Sequence, residues 1–142
     1  MKLLDVNVVL AAHREDHPDH ATARPWLDGL LASGEQFGVP WMVWWSFLRL
    51  SSHPRVFSLP TPLADSLGFI SAVRTQPGHV PIEPGESHLD CLRAVCGEGE
   101  ATADLVPDAV LAALATEHGA QVVSFDRDFA RFPRLAWSRP EP

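Results

Sequence analysis

Two short apolar runs near opposite ends of the chain stop at aspartates, and this pattern constrains the fold more than any other feature. Leu3, Leu4, Val6, Val8, Val9 and Leu10 surround Asp5, so the first residues read as a brief buried strand that turns helical after Asn7. The stretch VVSFDRDFARF, Val122 to Phe132, ends a β-branched run at Asp126 and repeats the charge two residues later at Asp128. Like charges so close past a strand end either cap a solvated turn or are kept for chemistry.

The residues between these runs alternate helical and extended patterns. HPDHATARPWLDGLLASGE places Ala21, Trp26, Leu27, Leu30 and Leu31 at helical spacing, with Pro25 marking a kink and Ser33-Gly34 the stop. Phe37 to Val39 predicts a second strand, and Pro40 suits the start of a mostly buried helix, WMVWWSFLRLSSH. Prolines punctuate a loop from Pro54 to Pro62; Leu63, Leu67, Phe69, Ile70 and Val73 then predict a helix that ends at Pro77-Gly78. His79 to Ile82 reads as a third strand, ESHLDCLRAVCGEG and DLVPDAVLAALATEHG as helices, Gln121 to Phe125 as a fourth strand and LAW near residue 136 as a last one. Gly119 closes the second of those helices. Such alternation predicts an α/β domain with a mainly parallel sheet and helices on both faces.

The bulk properties agree with one globular domain, residues 1–142, because 142 residues are too few for two ordinary cores. A hydrophobic fraction of 46% with 20% charged residues excludes a disordered or fibrous chain. No window reaches transmembrane length, and Asp5 and Asn7 interrupt the apolar start without a cleavage signal, so a cytoplasmic protein without a membrane association is expected. Cys91 and Cys96 have poor spacing for a disulfide or zinc knuckle and read as ordinary thiols. The net charge of -7 excludes a broad basic nucleic-acid face, though not an enzyme whose acidic site is neutralised by cations.

In parallel α/β sheets the functional crevice lies beyond the carboxyl ends of the strands. Asp5 and Asp126 both open into it if their strands are neighbours, and Asp108 begins the helix leading into the second of them. Singly, each aspartate is explained as a helix cap or a dipole partner. Together they repel and persist mainly with a divalent cation between them. Oxygen donors suit Mg2+ or Mn2+, which makes phosphodiester hydrolysis the leading reaction class.

LLDVNVVL, PDAVLAALATEHGA and VVSFDRDFARF, in this order, resemble PIN domains, specifically the VapC toxins of type II toxin–antitoxin systems. HPDHATARPWL and WWSFLRLSSHPRVF extend the resemblance to the early helices. It implies a PIN-like three-layer α/β/α sandwich around four to five short strands. It also implies Mg2+- or Mn2+-dependent endoribonuclease activity on structured RNA, transfer or ribosomal, inhibition of translation and growth, a VapB antitoxin partner and a homodimer. The family's acids fall on Asp5, Asp108 and Asp126 as catalytic and metal-binding residues, with Asp128 assisting the metal. Asn7 and Ser124 match small polar positions that orient carboxylates or water. Many PIN nucleases carry a glutamate where this chain has Ser46, a departure shared by a VapC branch with a similar SFLR stretch; Ser46 is left to hold water. Asp128, Asp104, Glu98 and Glu100 are candidates to compensate, Asp128 foremost.

Several residues have competing readings. His13, His17 and His20 have zinc-like spacing, but Pro18 breaks the helix that would align them, so solvated loop roles are expected. Trp41, Trp44 and Trp45 suggest base stacking, yet on an apolar helix core or interface roles are favoured. Arg49 and Arg127 are the cations nearest the acids in sequence, placed to pair with carboxylates or RNA phosphate. Against the nuclease stands a non-catalytic PIN-like binding module acting through its partner. A response-regulator pocket would require a lysine across from the acid, and Lys2 is the sole lysine. An antitoxin is expected to set an arginine or lysine against Asp5 and Asp126 and to cover exposed tryptophan and leucine with an apolar helix.

Overall fold

The computed structural model describes residues 1–141; Pro142, the last residue of the expected 1–142 domain, lies outside them. Four short strands, β1 (Lys2–Leu4), β2 (Phe37–Gly38), β3 (Gln121–Val123) and β4 (Trp137–Ser138), form one sheet in the order β2-β1-β3-β4. Every pairing is parallel. Around them run α1 (Val6–His13), α2 (His20–Ser33), α3 (Trp41–Ser51), α4 (Leu63–Arg74), α5 (His88–Gly99) and α6 (Val106–His118). The helices form two groups, α1 with α2 and α3 with α4 linked through α1 and α3, and α5 with α6. The result is the expected three-layer α/β/α sandwich.

β1 is central and its last two residues are sealed: Leu3 and Leu4 are fully buried, as are Val122 and Val123 on the neighbouring β3, while Lys2 at its start is half-buried. Leu3 faces Val122 and Leu4 faces Val123 in register. The chain leaves β1 toward β2 on one side and returns to β3 on the other, so the order of strands reverses between β1 and β3. A crevice opens at such a reversal. Small residues on α6, Ala109, Ala112 and Ala113, are fully buried and allow close helix packing. Gly119, at φ +60°, ends α6 in the left-handed region that disfavours a side chain, and the chain enters β3 two residues later.

Several element boundaries differ from the sequence-based expectation. α1 begins at Val6, ahead of Asn7, because the Asp5 carboxylate accepts from the Val6 N–H and caps the helix. β3 ends at Val123 rather than Phe125, since Ser124 and Phe125 turn into side-chain hydrogen bonds with Asp5 and Asn7. The strand expected over His79 to Ile82 is reduced to a single parallel bridge between Phe37 and His79. Pro81 fixes φ near about -65°, away from the roughly -120° of a parallel strand, and Pro40 diverts the partner strand into α3. Pro25 lies inside a continuous α2.

α3 is apolar around most of its circumference, and its three stripes have different fates. Val43, Trp44, Phe47 and Ser51 enter the core, Met42 and Ser46 are half-buried, and Trp41, Trp45 and Arg49 are exposed. The core stripe meets α4 through Phe47 and Phe69, 5.3 Å between ring centres, and through a buried hydroxyl pair, Ser51 and Ser66, at 2.7 Å. Among the described residues no helix is long and apolar enough to cross a membrane.

Gly38 permits the closest approach in the sheet. A Cβ there would stand 2.5 Å from Ile82 Cγ1 and 2.8 Å from the Val80 carbonyl oxygen, a backbone atom that cannot swing aside. Gly38→Ala is therefore expected to destabilise the fold by about 1–3 kcal/mol, read as a lowered urea midpoint at unchanged slope.

Candidate active site

Asp5 sits at the carboxyl end of β1, buried to 6% exposure, with both of its oxygens engaged. Oδ1 accepts from the Val6 N–H at 2.6 Å; Oδ2 accepts from Ser124 Oγ at 2.7 Å and from Asn7 Nδ2 at 3.0 Å. Asn7 Nδ2 also reaches Ser124 Oγ at 2.9 Å, and Asn7 Oδ1 accepts from the Phe125 N–H at 3.0 Å. Ser124 Oγ in turn accepts from the Asp126 N–H at 3.0 Å, and Asp126 Oδ1 accepts from the Asp128 N–H at 2.8 Å. One continuous network thus ties the end of β1 to the turn after β3. Oδ2 is saturated by two donors, whereas Oδ1 keeps a lone pair.

Asp108 reaches the same crevice from the first turn of α6, behind Pro107. Asp5, Asp108, Asp126 and Ser46 line one cleft of about 180 Å³, with Met42, Val43 and Leu111 among its apolar walls. Oxygens of Asp108, Asp126 and Asp128 lie within 4.8 Å of one another. Two acid sets therefore overlap: Asp5, at the floor, joins Asp108 and Asp126 from within, and exposed Asp128 joins the same two from the rim.

The electrostatics follow from burial and crowding. Burial, followed by the neighbouring charges of Asp5, Asp126 and Asp128, pushes the Asp108 carboxyl from the ordinary 3.8 to about 6. Burial also raises Asp5, with the Asp126 charge in the same sense, while hydrogen bonds from Ser124, Val6 and Asn7 oppose it. None of Asp108, Asp126 and Asp128 forms an ion pair among the described residues. The donor set is oxygen only, dense and unneutralised, which fits a hard divalent cation such as Mg2+ or Mn2+.

The remaining residues singled out in the sequence separate cleanly. Asp104 lies in a short 3-10 turn, Glu100 caps α5 and Glu98 binds Arg134, so none of them joins the acid cluster. Arg49 and Arg127 are exposed and pair with no carboxylate among the described residues. His13, His17 and His20 are engaged apart from one another, with Thr61 Oγ1, the Asp19 N–H and the Ala11 carbonyl; against the expected solvated loop roles all three are half-buried, with His13 ending α1 and His20 beginning α2. Cys91 and Cys96 are free thiols. Trp44 is core, while Trp41 and Trp45 are exposed. Met42 escaped the sequence reading; its one signal was its position four residues before Ser46, one helical turn along the same stripe of α3.

The sheet order, the crevice and its acids describe a PIN-type fold, and a PIN domain family model matches residues 2–135. The chain belongs to the PIN-domain family, among the VapC ribonucleases. It is 56% identical over 140 residues to Ribonuclease VapC25 of Mycobacterium tuberculosis, covering 99% of each chain. Among solved structures it resembles VapBC2 of Rickettsia felis, bound to a DNA fragment from its promoter, at TM-score 0.70 and 16% identity over 97% of each chain. Mycobacterium tuberculosis VapC20, a sarcin-ricin loop cleaving toxin, superposes at TM-score 0.69 and 15% identity over 99% of this chain and 100% of that one. At these identities the structures establish the shared fold.

The raised Asp108 carboxyl sets a pH dependence for the metal-free protein. The folded state holds this proton to about pH 6 and the unfolded chain only to the ordinary 3.8, so the group's stabilising contribution is complete at low pH and lost as pH rises through about 6. In EDTA, Asp108→Asn is expected to be more stable than the parent at neutral pH by about 1 kcal/mol after solvent screening, with the difference vanishing toward pH 4. Thermal unfolding followed across that range checks it. An equal gap at every pH would show that the Asp108 carboxyl is not raised in the folded protein.

Proposed function

We propose that this chain is the toxin of a type II toxin–antitoxin pair, a Mg2+- or Mn2+-dependent endoribonuclease that cuts structured RNA, blocks translation and is neutralised by a VapB-type antitoxin. The observation that carries the reading is the convergence of Asp5, Asp108 and Asp126 where β1 and β3 end side by side. The relatives support it: VapC25 is a ribonuclease, VapC20 is a sarcin-ricin loop cleaving toxin and VapBC2 binds a DNA fragment from its promoter.

Asp108, Asp126, Asp128 and the free lone pair of Asp5 Oδ1 would hold the cation. Bound there, it neutralises the phosphodiester charge and activates the attacking water. The chain's own contribution is orientation. Asn7 and Ser124 fix the Asp5 carboxylate from one side, and the helix cap fixes it from the other. The Ser124 hydroxyl and the Asp126 carboxylate, through the turn after β3, set where Asp126 and Asp128 stand. Ser46 places a neutral hydroxyl in the cleft, able to hold water without adding charge.

An antitoxin neutralises such a cleft most directly with a lysine or arginine laid against Asp126 and Asp5. The exposed, unpaired Asp126 and the chain's net charge of -7 favour a cationic segment there. A non-catalytic binding module remains a second reading on one observation, the presence of Ser46 in the cleft where many relatives of this fold carry a glutamate.

Asp5→Asn and Asp126→Asn are each expected to lower RNA cleavage by the antitoxin-free protein by about a hundredfold or more, with the circular dichroism spectrum retained. Full cleavage after both changes would refute the mechanism. Calorimetric titration with Mn2+ separates the two readings: the nuclease shows saturable binding that weakens in Asp126→Asn, whereas the binding module shows none.

A further inference from the structure

We propose that the groove between the start of α3 and the segment 82–88 is a nucleobase subsite, in which Trp41 and Trp45 stack on an unpaired base of the RNA beside the acidic cleft. The inference rests on the ribonuclease reading above and deepens it. The groove holds about 350 Å³, at the small end of the range of ligand sites. Met42 lines both this groove and the acidic cleft, so the two are contiguous across one side chain.

The two indoles are unlike the protein's other large aromatics in being open to water. Trp45 is 64% exposed and Trp41 39%, whereas Trp44 between them in sequence is 1% exposed. Their rings lie 6.5 Å apart at 29°, a near-parallel arrangement, and the Arg74 guanidinium sits over Trp41 at 4.6 Å. Arg74 and Trp45 thus both pack against Trp41, and Trp45 is the more exposed of the two indoles. A flat heteroaromatic ring stacks on such an exposed indole, and a guanidinium nearby adds cation–π attraction.

Charge selects the occupant. Trp41, Trp45 and Arg49 recur every four residues and share one exposed stripe of α3, next to the Met42–Ser46 stripe that faces the cleft. Arg49 and Arg74 have no carboxylate partner among the described residues, which leaves two guanidinium groups for phosphates flanking the stacked base. The groove lining itself holds the Glu83 carboxylate and no arginine, so the two guanidinium groups act from its margin, flanking the exposed indoles, where an anionic strand carrying an aromatic base would pass. An RNA strand along α3 supplies both features and delivers its backbone to the acids.

The opposite wall is held rigid. Glu117 Oε1 accepts from the Gly85 N–H at 3.2 Å, Glu117 Oε2 pairs with His88 Nδ1 at 2.5 Å, and His118 Nε2 donates to the Glu83 carbonyl at 2.8 Å. His88 lines the groove with Nδ1 committed to Glu117, so Nε2 is the nitrogen left for the edge of a base. Glu117 is a positioning residue for this wall.

The test uses the full chain as Asp126→Asn, so that binding is read without cleavage, and unfractionated transfer RNA as the probe. Titration is expected to quench tryptophan fluorescence. Adding Trp45→Ala is expected to weaken binding about tenfold, with Trp45→Phe restoring most of it. In the cleaving parent, Trp45→Ala is expected to raise KM with kcat nearly unchanged. Unchanged RNA affinity and KM in Trp45→Ala would overturn the subsite, as would a loss confined to antitoxin binding, which would make the face a protein interface. RNA binding through Trp45 in a parent that cuts no RNA would uphold the subsite and sink the nuclease reading. Cleavage indifferent to Trp45 would do the reverse.

Discussion

Asp5 is a carboxylate sealed at the end of the central strand, and its burial governs the surrounding structure. Left unpartnered, a buried carboxylate would cost several kcal/mol or take up a proton. Three donors oppose that: the Val6 N–H and the Asn7 side chain, both in the first turn of α1, and Ser124, just past β3. Satisfying Asp5 therefore starts a helix, ends β3 two residues earlier than its apolar run suggests, and leads the chain into the turn that brings Asp126 to the cleft. The capping and metal-site explanations of this aspartate are not rivals. The cap uses one lone pair of Oδ1 and leaves another.

The same economy appears after β3. Asp126 caps the 3-10 turn that follows by accepting from the Asp128 N–H, and that bond brings Asp128 within reach of Asp108. The doubled aspartate is thus a turn motif whose geometry gathers carboxylates. Burial first, and then their mutual repulsion, registers on Asp108, which stands in the first turn of α6. A site of this kind is stable only while its charge is answered, by a proton, a metal or a cationic side chain from a partner.

Much of this was legible in the sequence because it depends on order along the chain. Apolar runs ending in Asp5 and Asp126, a proline before Asp108 and a glycine after α6 all have local signatures. The resemblance of those stretches to PIN domains supplied the order of the acids. Features set by the third dimension were hidden. His79 to Ile82 has strand composition, but Pro81 and the diversion of its neighbour at Pro40 leave only one bridge. WMVWWSFLRL is apolar on nearly every side, so periodicity alone could not sort Trp44 into the core and Trp41 and Trp45 onto the surface. Asp104, Glu98 and Glu100 were as eligible as Asp128 by residue type; only the fold separates them.

The β1–β3 pairing has a consequence for how such a chain can be made. Asp5 and Ser124, hydrogen-bonded across the sheet, are 119 residues apart, so one half of the acidic cleft is synthesised well before the other. An emerging chain that stops short of residue 121 has no neighbour on one side of β1 and no hydroxyl for Asp5. Long-range parallel pairing is also slow to form. The topology builds in a delay, keeping the cleft unassembled until β3 and Ser124 have been made.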